Sequence, residues 1–169
     1  MKIRMYFVLF LVFMITAFLY AGGGSEKEIT GGITVNNGGM FLMYNGTVSG
    51  NNGHDGGVVI IDGTFIMENG SITDNDGSGV VLDDGEFTMK DGVIYGNAAS
   101  EYGGGVYIKG GTFYKTGGTI YGNDAATDMR NNAGSQGHAL YWTGSPIRWR
   151  NTTAGPTVTS SSTGFWAND

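Results

Sequence analysis

Cysteine is absent from this 169-residue chain, which excludes disulfide staples, thiolate zinc sites, thiol nucleophiles and lipid attachment through a thiol. Proline and histidine each occur twice, and charged residues make up only 14% of the sequence. The 9 Lys and Arg are outnumbered by 15 Asp and Glu, giving a formal charge of −6. Without a clustered basic face, nucleic acid and anionic membrane surfaces are excluded as partners. What is abundant is glycine, with 32 residues, beside a hydrophobic fraction of 40%. That mixture fits neither collagen nor a disordered tail, and the length suits one glycine-rich folded domain.

The N-terminus has the pattern of an export signal. Lys2 and Arg4 precede an apolar run from Met5 to Tyr20, which ends at the small residues Ala21, Gly22, Gly23 and Gly24. Cleavage is expected after Ala21. A retained membrane anchor is the alternative, but the run is at the short end for a bilayer span and opens onto glycine without a basic stop-transfer cluster. Gly22 stands where a lipobox requires cysteine, so a lipoprotein is not expected. The export signal is thus the expected membrane association.

Internal repetition dominates the remainder. Phe41, Phe65, Phe87 and Phe113 recur at steps of 24, 22 and 26 residues. Each is followed seven residues later by Val48, Ile72, Ile94 and Ile120, and three further on by Asn51, Asn75, Asn97 and Asn123. Length varies just after the asparagine, so fixed strands are joined by one variable loop. Within each unit, short alternating apolar pieces such as Val106-Tyr107-Ile108 are separated by glycine, which is strand periodicity. The pairs Asn45-Gly46, Asn69-Gly70, Asp91-Gly92 and Gly117-Gly118 mark a tight turn at constant phase. Such pairs also suit antiparallel hairpins, but a hairpin array does not explain identical residues at every full period.

The expected fold is therefore all-β, a right-handed parallel β-helix of about four to five short coils with three strands per coil. The phenylalanines form an internal aromatic ladder flanked by Met43, Met67 and Met89, the aliphatic series lines the facing wall, and the asparagines form an amide ladder at a corner. Glu68 and Lys90 fall at equivalent positions and are expected to pair. The chain divides into a signal peptide (1–21), an N-terminal cap with a first weak strand (22–38), β-helix repeats (39–143), and a C-terminal cap or flexible tail (144–169). Ile33 and Val35 are displaced by one residue relative to the later strands, and Phe165-Trp166 is placed to anchor the tail over the last coil.

The segments Gly103-Gly104-Gly105-Val106-Tyr107-Ile108, Gly111-Thr112-Phe113 and Gly118-Thr119-Ile120-Tyr121-Gly122-Asn123 resemble repeat-rich surface proteins of treponeme-like spirochaetes. Val48-Ser49-Gly50-Asn51 and its equivalents are distantly similar to the polymorphic outer-membrane protein repeats of chlamydiae, with an aliphatic residue replacing the phenylalanine of their FxxN element. Gly137-His138-Ala139-Leu140-Tyr141, Arg148, Arg150 and Thr152 to Pro156 resemble the closing segment of the spirochaetal proteins. The resemblance implies a β-helical protein of the cell envelope or surface, of a kind often treated as adhesin-like and with no established enzymatic activity.

Candidate chemistry is sparse. Asp62 and Asp84, with Asp83 adjacent, have the phase of a calcium site between coils, but acidic turn residues beside glycine are far commoner. Asp74, Asp76, Asp83, Asp84 and Glu86 offer carboxylate pairs to a glycosidase, and polysaccharide-active enzymes use this architecture, yet fold is a weak warrant for function. His54 and His138 lack matched partners, and Asp76-Gly77-Ser78-Gly79 lacks the lysine and helix of a phosphate loop. No catalytic residue, metal or cofactor is expected. The expected function is a binding or adhesin-like module, with a passive structural role as the alternative. Tyr95 and Tyr121, sharing one phase, form the preferred contact patch together with Tyr107, and a host matrix protein or glycan is the expected kind of partner.

Overall fold

A computed structural model describes residues 32–53, 55–122, 125–143 and 163–165. The export signal, the cap residues before 32, His54, Arg148, Arg150 and Trp166 lie outside the described residues. Among the described residues, no helix is long and apolar enough to cross a membrane.

The chain coils into a parallel β-solenoid. The first coil holds β1 (Ile33–Asn36), β2 (Met40–Met43) and β3 (Thr47–Ser49), and the second β4 (Val58–Ile61), β5 (Gly63–Met67) and β6 (Ser71–Thr73). The third coil holds β7 (Val80–Leu82), β8 (Gly85–Met89), β9 (Val93–Tyr95) and β10 (Ala98–Ala99). The fourth holds β11 (Val106–Ile108), β12 (Thr112–Lys115), β13 (Thr119–Ile120) and β14 (Asn132–Ala133). β15 (Leu140–Thr143) begins a further coil, and β16 (Thr163–Phe165) completes the order. The first side of the stack runs β1-β4-β7-β11-β15-β16, the second β2-β5-β8-β12 and the third β3-β6-β9-β13. A short fourth side, β10-β14, is added at the corner beyond the asparagines, where an isolated parallel bridge also joins Asn52 and Asp76.

Register follows the repeat. Phe41, Phe65, Phe87 and Phe113 pair in sequence, and so do Val48, Ile72, Ile94 and Ile120. The phenylalanine rings stack at 5.0, 4.9 and 4.9 Å between centroids. That equals the spacing between neighbouring strands, so backbone pairing and ring stacking satisfy one another, each stacked pair adding about 0.5–1.5 kcal/mol beyond burial. Phe65, Phe87 and Phe113 have no exposed surface, and Met67, Met89, Ile72 and Ile94 are equally buried beside them. Lys115 takes the place of methionine opposite Met89 in the fourth coil.

The expected turn pairs hold the corner between the second and third sides. Gly46, Gly70, Gly92 and Gly118 have φ of 104°, 113°, 95° and 75°. The preceding Asn45, Asn69 and Asp91 side chains accept their backbone N–H at 2.7–2.8 Å. A Cβ at Gly70 would lie 2.7 Å from the carbonyl oxygen of Gly46 in the coil below, so stacking and positive φ both demand glycine. The displacement of Ile33 and Val35 is absorbed in the turn Asn37-Gly38-Gly39, where Asn37 and Gly38 adopt φ of 52° and 71°. β1 itself pairs in register with β4, Ile33 opposite Val58 and Val35 opposite Ile60.

Candidate functional site

The asparagine ladder is the most ordered polar feature of the stack. Asn75 Oδ1 accepts from Asn51 N and Nδ2 at 3.1 and 2.7 Å, and Asn97 Oδ1 accepts from Asn75 N and Nδ2 at 3.2 and 2.8 Å. Each amide thereby caps the backbone and side chain of the coil before it, while its own Nδ2 reaches a carbonyl, as Asn97 does to Ile72 and Tyr95. The fourth rung departs from the sequence expectation. Asn97 N and Nδ2 donate to Asn131 Oδ1 at 3.0 and 2.9 Å, so Asn131 holds the place assigned to Asn123, which itself lies outside the described residues. In this coil the insertion precedes the ladder asparagine instead of following it, and Asn131 Nδ2 returns to the carbonyl of Tyr121 at 2.7 Å. The ladder is structural: Asn75, Asn97 and Asn131 are buried and bonded within the protein.

The three tyrosines expected to share a patch fall on two different sides. Tyr95 and Tyr121 follow the inward Ile94 and Ile120 and so project outward from the third side, both half-buried. Their rings meet edge to face, 6.2 Å apart and 81° between planes. Tyr107 projects from the first side, between the inward Val106 and Ile108. There it belongs to a cluster with Tyr141 at 5.7 Å and with Tyr102 at 6.2 Å, and Lys109 Nζ lies 5.5 Å from its ring centre.

Tyr102 and Tyr141 stack face to face at 4.4 Å. Burial holds the Tyr107 and Tyr141 hydroxyls above the usual tyrosine pKa, with Thr143 bonding to Tyr107 in partial opposition. Tyr141 is only 6% exposed, whereas Tyr102 and Tyr107, like Tyr95 and Tyr121, are half-buried and keep part of their surface in solvent. Tyr102 was not legible as a member, because it stands in the variable loop, where no periodicity assigns a direction.

The remaining candidates resolve into turns and caps. Asp62, with φ of 55°, and Asp84 occupy successive turns ahead of the paired Gly63 and Gly85, and Asp84 Oδ1 accepts the Gly85 N–H at 2.8 Å. Among the described residues, no three His, Asp or Glu side chains gather closely enough to hold a metal ion. His138 Nδ1 accepts the Ala133 N–H at 3.1 Å, which ties the strand β14 to the loop ahead of β15. Lys90 Nζ meets Glu68 Oε1 at 2.7 Å as expected, an exposed pair contributing less than about 1 kcal/mol. No protein family, curated protein or solved structure matches this chain.

Proposed function

We propose that this chain is an exported cell-envelope or surface β-helix repeat protein acting as a non-catalytic, adhesin-like binding module. The observation that carries this reading is the Tyr95–Tyr121 pair. The outward column to which it belongs holds Ser49 and Thr73 in the first two coils, so the scaffold itself does not require aromatic side chains there. Large aromatics at a half-buried position where the scaffold accepts serine or threonine are the residues that supply contact energy when a partner covers them. The export pattern of Lys2, Arg4 and the apolar run to Tyr20 supports a destination beyond the cytoplasm.

Protease treatment of intact cells, with a periplasmic protein as leakage control, tests the destination. Degradation with the control intact is the expected result, and protection would end the surface assignment. Attachment to host matrix proteins and glycans, compared between the parent and Tyr95→Ser with Tyr121→Ser, tests the binding role; unchanged attachment would remove the tyrosines from it. A passive structural component of the envelope is the second reading. It is favoured by the first coil, where residues 32–53 carry no charged side chain to discourage strand pairing with a neighbour.

A further inference from the structure

The outward residues of the third side carry no formal charge, although the chain as a whole is acidic. Alternating with the inward aliphatic series are Thr47, Ser49, Ser71, Thr73, Val93, Tyr95, Thr119 and Tyr121, none of them an acid or a base at neutral pH. Thr47, Ser49 and Thr119 are exposed, and Ser71, Val93, Tyr95 and Tyr121 are half-buried. Thr47 Oγ1 and Ser71 Oγ lie 2.9 Å apart and share one hydrogen bond, which leaves further donor and acceptor capacity facing outward. Thr73 does not contribute, being buried with its hydroxyl bound to Asp74 Oδ2 at 2.8 Å. The face is therefore a hydroxyl-bearing sheet with an aromatic end.

Three properties define what such a face can hold. Its rungs repeat at about 4.8 Å along the axis and its outward positions at about 6.6 Å along each strand, which offers a row of equivalent contacts to a polymer. The edge-to-face tyrosines leave the ring that presents its edge with both faces uncovered by its partner, unlike the stacked Tyr102 and Tyr141. An electron-rich aromatic face takes the polarised C–H surface of a sugar ring. Finally, Asp74 and Asp91 stand at the margins of the face, where Lys90 is paired with Glu68 and Lys115 is bonded to the Gly118 carbonyl, on a chain of formal charge −6, a balance that gives an anionic ligand little to hold.

Resting on the binding-module reading, we infer that the outer face of the third side binds a neutral polysaccharide, with Tyr95 and Tyr121 stacking on sugar rings and Thr47, Ser49 and Thr119 hydrogen-bonding to hydroxyls. The test is retention of the purified protein on cellulose, chitin and mannan, compared with heparin and hyaluronan. Retention on at least one neutral polymer and on neither anionic one is expected. Tyr95→Ala with Tyr121→Ala should lower the retained fraction by about tenfold or more, while Tyr95→Phe with Tyr121→Phe keeps it, because the ring and not its hydroxyl makes the contact. Circular dichroism melting of each variant separates lost binding from lost fold. Thr119→Asp, which places a charge on the face without touching the core, should also weaken retention.

Failure of every neutral polymer, preference for heparin, or retention indifferent to the tyrosines would overturn the inference. Tyrosine-dependent attachment to a matrix protein without glycan retention would overturn it and leave the binding module standing. Loss of both would remove the two together.

Discussion

At the N-terminal end of the stack, Ile33, Phe41 and Val48 are only partly buried, and Met40 and Tyr44 are 68% and 65% exposed. At the other end Phe113 and Leu140 have no exposed surface, Trp142 is 5% exposed, and β15 is covered by the antiparallel strand β16. A strand laid antiparallel across a parallel side cannot continue the solenoid, so it terminates growth where a further coil would add. Between 32 and 53 there is neither a charge nor a proline to discourage pairing of the edge strands. β16 closes the first side alone; β12 and β13, like β1, β2 and β3, have no further strand beside them among the described residues, so the two ends differ chiefly in how well their core residues are covered. Equivalent residues in the repeat should therefore contribute unequally to stability.

The largest effect is expected between the two ends, where neither can relax. Phe87→Asp would bury a carboxylate among stacked rings, a penalty comparable with the about 5–15 kcal/mol that holds a domain of this size together, and the cooperative thermal transition should disappear. An unchanged melting curve would refute the inward placement. Truncation then measures the asymmetry directly. Phe113→Ala should cost about 3–5 kcal/mol in urea unfolding, and Phe41→Ala about 1–2, although sequence alone makes the two residues equivalent. Equal costs would mean that the N-terminal end is as well covered as the other.

The amide ladder offers a finer version of the same comparison. Asn97→Ala removes the acceptor of Asn75 N and Nδ2 and should cost about 2–4 kcal/mol, because buried donors are left unpaired. Asn131→Ala should follow closely, at about 1–3 kcal/mol, since Asn97 depends on it in the same way. Asn51→Ala should cost only about 1 kcal/mol: Asn75 Oδ1 keeps the backbone N–H of residue 51, and among the described residues no earlier rung leans on it. An Asn131 variant as stable as the parent would return the fourth rung to another residue.

Most of the stack was legible because its spacing is rigid. Seven residues from Phe65 to Ile72 and three more to Asn75 recur in the next coil, and stacking forces equivalent residues into contact once the period is known. The fourth asparagine escaped for the same reason. The spacing rule selects Asn123, whereas an insertion can loop out on either side of a rung, and only the hydrogen-bond geometry distinguishes it from Asn131. The tyrosines show a second limit. Residue type groups Tyr107 with Tyr95 and Tyr121, yet its phase, between two inward residues of the first strand of its coil, assigns it to another side. The closure by β16 lies outside the repeat, after a stretch rich in Thr, Ser and Gly: the aromatic Phe165 marks the contact with the last coil, where it pairs with Tyr141, but nothing periodic gives its antiparallel direction.

Titration should probe the tyrosine cluster of the first side. The Tyr107 and Tyr141 hydroxyls are held above 10.0 by burial, so the folded protein resists an ionisation that the unfolded chain undergoes freely. Groups raised in the fold contribute fully below the unfolded pKa and lose that contribution as pH rises through the folded one. Stability should accordingly fall as pH climbs past 10, and Tyr107→Phe with Tyr141→Phe should flatten that fall. An alkaline limb unchanged in the double variant would show that the ionisation lies elsewhere.

The smallest effect concerns the fourth coil, where Lys115 interrupts the methionine series of Met43, Met67 and Met89. Desolvation lowers the pKa of its ammonium group, with Asp91 opposing, and Nζ donates to the Gly118 carbonyl at 2.7 Å. A cation whose pKa is depressed by folding is penalised at neutral pH, and the penalty is relieved as pH rises towards the unfolded value of 10.5. Lys115→Met continues the apolar column and should raise stability at pH 7 by about 0.5–1 kcal/mol, the lost carbonyl bond offsetting part of the gain. Its advantage should shrink as pH approaches 10, because deprotonation relieves the parent of the same charge. Urea midpoints of both proteins at pH 7 and pH 10 test this, and a variant less stable at pH 7 would show that the bond to Gly118 outweighs the desolvated charge.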